Sequence, residues 1–158
     1  MRRSPEISAG LLAFRRDSGL EVLLAHPGGP FWAKKEDGAW SIPKGLAEPG
    51  ADLLATAQRE FAEETSLAAS GPFLALTAVR QKSGKLVHAW AFEANLDLAS
   101  FASNMFEIEW PPRSGHNRPF PEIDRVAYFA LPAAMIKILD YQRPLLHELA
   151  SRLGSSLP

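Results

Sequence analysis

GLAEPGADLLATAQREFAEETSL, residues Gly45 to Leu67, is the stretch on which the reading of this chain turns. It sets Glu60, Glu63 and Glu64 directly behind Arg59 and contains no lysine to relieve them. Leu53, Leu54, Ala57 and Phe61 recur at helical spacing, which predicts a helix over Leu53–Thr65. Asp52 stands where an N-cap would accept a bond from a free first-turn N–H. Residues three and four apart share a helix face, so Glu60 and Glu64 lie one turn apart with Glu63 beside them. Arg59, four residues before Glu63, can hold that carboxylate in place. Several carboxylate oxygens on one face, without nitrogen or sulfur, suit Mg²⁺ or Mn²⁺ rather than zinc. A solvated acidic face is the plainer alternative, since like-charge neighbours cost only a few tenths of a kcal/mol.

Working outward, Ile7–Phe14 and Leu20–Ala25 are apolar runs joined by the turn signal RRDSG and predict a β-hairpin. His26–Ala39, rich in Gly, Pro and Lys, reads as a loop. Trp40-Ser41-Ile42 reads as a short strand before Pro43-Lys44-Gly45. Beyond the helix, Leu74–Gln81 and Leu86–Ala94 predict a second hairpin turning on SGK. Met105–Trp110 reads as a strand, PPRSGHNRPFPE as a polar loop, and Val126–Phe129 as the last strand. Ala133–Leu139 and Arg143–Leu153 read as helices, the second opened by Pro144. This order indicates an α+β domain with helices on a mixed sheet.

At 158 residues the chain fits one domain, 1–158. A net charge of −1 gives no basic field for a nucleic acid polymer or an anionic membrane. Zero cysteines exclude disulfides and thiolate metal sites and fit a reducing, cytoplasmic setting. MRRSPEISAGLLAFRRD lacks the sustained apolar run of a signal peptide, and no stretch approaches the ~20 apolar residues of a membrane span.

The offsets within Gly45–Leu67 resemble the Nudix box, G-x5-E-x7-R-E-U-x-E-E-x-G-U, where U is a bulky apolar residue. Gly45, Arg59, Glu60, Phe61, Glu63, Glu64 and Leu67 fall on its positions, and Trp40-Ser41-Ile42-Pro43-Lys44 resembles the approach to it. Two positions depart: Ala51 replaces a glutamate and Ser66 a glycine. The first glutamate generally supports the loop–helix–loop, so its loss bears on stability and rate more than on reaction type. Ser66 stands where helices end in a left-handed residue, at a non-glycine cost on the order of 1 kcal/mol.

The resemblance implies a Nudix-type α/β/α sandwich with a mixed β-sheet. It also implies a metal-dependent hydrolase of nucleoside diphosphates linked to another group, with Mg²⁺ (or Mn²⁺) as cofactor. It implies Glu60 and Glu64 as metal ligands, Glu63 as a ligand or shared contributor, and the Gly45 carbonyl as a further one. Arg59, Glu63, Glu64 and Glu122 are the catalytic candidates, the general base being a box glutamate or a later acid. Glu107 and Glu109, which would share a strand face, compete with Glu122. The early "AGLLAFRR" and "WSIPKG" look more like members acting on dinucleoside polyphosphates or nucleoside triphosphates.

Lys44, Arg80, Lys82 and Lys85 are candidates for substrate phosphates, against simple exposure at a hairpin tip. Trp32 and Trp110 are candidates for stacking on a base, whereas Trp40 and Trp90 fit a core. His26 and His88 lack a paired metal-ligand spacing and read as packed or hydrogen-bonded, and His116 as solvated. The partner is a small-molecule nucleotide; monomer and homodimer both fit the sequence. A nucleotide-binding module without turnover is the competing reading, with Ala51 its main support. A purely structural acidic helix leaves the spacing unexplained.

Overall fold

β1 (Ile7–Arg15) and β2 (Glu21–Pro27) form the expected first hairpin, and both are buried through almost their whole length. Strands buried on both faces belong at the middle of a covered sheet. The computed structural model, which describes residues 6–154, places them there. The N-terminal residues 1–5, part of the stretch read for a leader, and residues 155–158 lie outside the described residues.

The main sheet runs β4 (Leu74–Ala75), β6 (Leu86–Glu93), β1, β2, β9 (Ile123–Ala130). β1 lies parallel to β6, whereas β1–β2 and β2–β9 are antiparallel, so the sheet is mixed. The central hairpin is splayed. β1 and β2 pair only at Phe14↔Val22 and Arg15↔Glu21, beside their turn. Past that point the Ser41–Leu46 segment wedges between them. Ser41 bridges to Ala25 of β2, and β3 (Lys44–Leu46) pairs with Ser8, Ala9 and Gly10 of β1. The wedge is tight against β1. A Cβ on Gly10 would lie 2.5 Å from the Pro43 carbonyl oxygen.

One apolar cluster joins the sheet to α2 (Leu131–Lys137) and α3 (Arg143–Arg152) through Leu12, Leu24, Ile138, Leu145 and Leu149. The other joins its opposite face to α1 (Leu53–Thr65) through Leu11, Leu23, Ala57, Phe61 and Phe92. Phe61 is fully buried and meets Phe92 edge-on at 5.5 Å. Burial of that ring contributes roughly 1.5–3 kcal/mol. Helices on both faces of a mixed sheet make the expected α/β/α sandwich.

Several elements differ from expectation. Trp40–Ile42 makes only isolated bridges, and the ladder begins at Lys44. The first arm of the second hairpin is broken into β4 and β5 (Val79–Arg80). It carries one residue more than β6 between the Leu74↔Ala91 and Val79↔Val87 pairs. Inside the expected polar loop lies β8 (Asn117–Pro121), paired with β7 (Met105–Glu109) in a separate two-stranded ribbon. Prolines are tolerated there because a two-stranded ribbon consists of edges. β9 starts three residues before Val126 and α2 two residues before Ala133.

Candidate functional site

α1 is fixed at both ends by its own sequence. The Asp52 carboxylate accepts the Ala55 N–H at 3.0 Å, the expected N-cap. Ser66 ends the helix in the left-handed region, at φ 61°. Its hydroxyl donates to the Ala102 carbonyl at 2.9 Å, which helps offset the strain of a non-glycine residue there. The helix thereby delivers its acids to one place, beside the wedge in the sheet.

The three box glutamates do not behave alike. Glu63 is exposed, and Arg59 Nη1 donates to its carboxylate at 3.3 and 3.4 Å, as the spacing predicts. The same Nη1 reaches Glu60 Oε1 at 3.2 Å. The rest of the Glu60 carboxylate lies against Gly45, where a Cβ would come within 2.1 Å of Glu60 Cδ. A side chain at Gly45 would therefore push the Glu60 carboxylate out of this place. Glu64 is half-buried, and its buried Oε2 has no hydrogen-bond partner.

Burial pushes the Glu64 carboxyl up to about 8, with the charges of Glu60 and Glu122 adding, while Lys44 opposes. Burial also raises Glu60, against the pull of Arg59. The Lys44 ammonium is held below its ordinary value, first by burial and then by Lys85, while Glu64 opposes.

Lys44, Glu64, Glu122 and Trp32 line a single cleft of about 240 Å³, together with Ala25, Pro27, Ser41 and Ile123. Residues of the wedge, α1, the 28–39 loop and the β8–β9 junction are thus brought to one point. Arg80 and Lys82 are not. Both are exposed in the second hairpin, and Arg80 Nη1 donates to the Gly84 carbonyl at 3.0 Å within that turn. Glu107 and Glu109 are exposed on the ribbon, and Glu109 accepts the Arg113 N–H at 2.7 Å, a turn contact. Trp40 is core, as expected; Trp90 packs half-buried beneath α1. Trp110 meets the exposed Phe31 edge-on at 5.4 Å, outside the cleft lining. Phe31 had no sequence signal that separated it from any loop aromatic. Lys85, 3.4 Å from Glu6, acts on Lys44 only through its charge.

The donor set fits a hard divalent cation. It is all oxygen, one buried carboxylate oxygen is orphaned, and Glu60 and Glu122 add to the cost of ionising Glu64. Among the described residues, no three His, Cys, Asp or Glu side chains already converge as a metal cage. Glu60 and Glu63 turn to Arg59 instead.

A mixed sheet between helical layers, its central hairpin split by the Ser41–Leu46 wedge beside an acid-bearing helix, defines an α/β/α sandwich with a cleft lined by carboxylates and a lysine. The NUDIX domain model matches residues 5–149, and the chain belongs to the NUDIX family, hydrolases acting on nucleoside diphosphate derivatives. The fold is similar to that of a Caenorhabditis elegans Ap4A hydrolase in a binary complex. Identity there is 22% and the TM-score 0.64, over 93% of this chain and 98% of that one. The NUDIX domain of Shewanella oneidensis NrtR, complexed with ADP ribose, gives 18% identity and a TM-score of 0.67, over 96% and 90%. The Escherichia coli ORF135 protein gives 18% identity and a TM-score of 0.57, over 98% and 96%. At these identities the likeness is one of fold. No curated protein sequence matches the chain. No helix among the described residues is long and apolar enough to cross a membrane.

Proposed function

We propose that this protein, acting as one domain over 1–158 in a cytoplasmic setting, cleaves the pyrophosphate linkage of dinucleoside polyphosphates or nucleoside triphosphates. Mg²⁺ or Mn²⁺ is the proposed cofactor. The observation that carries this reading is Glu64, a half-buried carboxylate with one buried, orphaned oxygen, in the lining of a cleft it shares with Lys44 and Glu122. Such a group is expensive to hold unless a cation completes it.

Glu60, Glu64 and the Gly45 carbonyl would hold the metal, and Glu63 would contribute after release from Arg59. When bound, a divalent cation screens the phosphate charge and stabilises the leaving oxygen. Lys44 sets an ammonium against the bridging phosphates. Glu122, exposed at the cleft mouth, accepts a proton from the attacking water. That water forms a new P–O bond as the P–O–P bridge breaks. Arg59 keeps Glu60 and Glu63 oriented until the site is filled. At about 240 Å³ the cleft is smaller than the ~300–1,000 Å³ of sites that enclose a drug-sized ligand. It suits a diphosphate, with nucleosides resting at the rim against Trp32.

The test is phosphate release from diadenosine tetraphosphate, nucleoside triphosphates and ADP-ribose, with Mg²⁺, Mn²⁺ or EDTA. Turnover of one of the first two, abolished by EDTA, is expected. Ala51 favours a second reading, a module that binds nucleotide without turnover. Saturable binding with no product under either metal would establish that instead.

A further inference from the structure

His26 is completely buried on β2, between the cleft residues Ala25 and Pro27. Its Nδ1 lies 2.7 Å from Asp124 Oδ1 on β9, and its Nε2 lies 2.6 Å from the Lys35 carbonyl in the 28–39 loop. A carbonyl oxygen can only accept, so Nε2 carries a hydrogen. The Asp124 carboxylate, 3.7 Å from the Arg125 guanidinium, is an acceptor as well. Nδ1 therefore donates as well. Only a ring with two N–H groups satisfies both partners.

A second carboxylate stands nearby. Glu36 Oε2 lies 3.9 Å from Nε2, and Arg125 and Lys137 in turn bind Glu36. The Trp40 ring meets the imidazole at 5.1 Å. The same seam is closed beside the histidine: the Gly28 N–H donates to the Glu122 carbonyl at 2.8 Å. A Cβ on Gly28 would lie 1.8 Å from the Pro121 oxygen, so the loop cannot ride higher. The loop carries Trp32, and the β8–β9 junction carries Glu122, on two walls of one cleft.

We infer that His26 is a positioning residue, a buried imidazolium that ties the 28–39 loop to the start of β9 and so sets the spacing of Trp32 and Glu122. Its effect on substrate rests on the pyrophosphohydrolase reading above; the tie itself does not. Loss of the proton leaves a nitrogen lone pair facing either the carbonyl or the carboxylate. One bond then breaks and a cleft wall loosens.

Nitrogen-15 NMR of the imidazole rings in the intact protein at pH 7 tests the charge without any substrate. Both His26 nitrogens should report as protonated; a single bare nitrogen would overturn the inference. His26→Gln keeps a donor of similar reach but no positive charge. It should lose about tenfold or more of amide-exchange protection across residues 28–39 and 122–125, with β1 and β6 unchanged. With diadenosine tetraphosphate, or ATP if that is the substrate hydrolysed, KM should rise through Trp32 and kcat should fall through Glu122, each about tenfold. Unchanged exchange in a folded variant, or lost kcat at constant KM, would show a merely structural or a catalytic histidine instead. If no nucleotide is hydrolysed, the NMR and exchange results still decide the tie.

Discussion

On α3, Glu148 accepts the Thr77 main-chain N–H at 2.7 Å and the Arg152 guanidinium at 3.3 Å, whereas on α1 Glu64 keeps a buried oxygen with no partner. Both helices pack on the same sheet with comparable apolar faces. The Thr77 N–H holds Glu148 below its ordinary value, while burial drives Glu64 above it. The α3 layer has satisfied its charges and serves the fold. The α1 layer stores an electrostatic cost beside a cleft, where a ligand can relieve it.

The sharpest way to break this contrast is Glu64→Gln. It should reduce turnover about 10²-fold or more, because a lost metal ligand removes several kcal/mol of charge stabilisation. Glu148→Gln and Glu48→Gln, the latter exposed on the loop before the helix, should leave turnover near wild type. Equal losses in the three variants, or full activity in Glu64→Gln, would sink the assignment.

The same pair should show opposite pH signatures in metal-free unfolding experiments. Glu64, raised from 4.5 to about 8, is protonated in the fold while the unfolded chain already ionises. Wild type therefore loses stability relative to Glu64→Gln as pH rises through that window, by on the order of a few kcal/mol. Glu148, lowered, contributes stability above its ordinary value that is lost as pH falls through the folded one. Its difference from Glu148→Gln should fade in acid, from an upper bound of ~1 kcal/mol after solvent screening. Denaturant melts between pH 4 and 9 check both; parallel profiles would erase the contrast.

Gly45→Ala should lower activity about tenfold while the fold survives, since the clash falls on the Glu60 side chain and misplaces it. Activity and melting temperature, measured together, separate this from general destabilisation. The smallest effect is expected of Ala51→Glu. Ala51 borders a surface hollow with Asp52, Ala55 and Arg59, so a carboxylate has room there. Stability should stay within about 0.5 kcal/mol, and activity should equal or exceed wild type. A large loss in a folded variant would show that the site is rebuilt around alanine.

α1 was readable in the sequence from cap to cap because its signals are local: Asp52, the 3.6-residue spacing and Ser66 all act within a turn of themselves. The first hairpin was readable for the same reason, whereas the sandwich followed from the resemblance carried by Gly45–Leu67. β8 was not, because its prolines at 119 and 121 speak for loop and only the ribbon partner β7 makes it a strand. Nor was the difference between Glu63 and Glu64, neighbours in sequence of which one is exposed and the other half-buried with an orphaned oxygen. Composition gave no sign that Arg80 and Lys82 stay with their own turn while Lys44 enters the cleft. The tie from His26 to Asp124 joins residues on strands far apart in sequence, and a single sequence carries no trace of it.

The splayed sheet also bears on the order in which the molecule forms. β1 must find β6 through pairs such as Ile7↔Leu86, and β2 must find β9 through pairs such as Val22↔Phe129, before the sheet on either side of the wedge is complete. Contacts so distant along the chain are slow to close, whereas α1 can form early from local signals. Its glutamates would then stay hydrated through most of folding. Glu64 is desolvated only when the far strands dock, so the cost of the cleft falls on the last step.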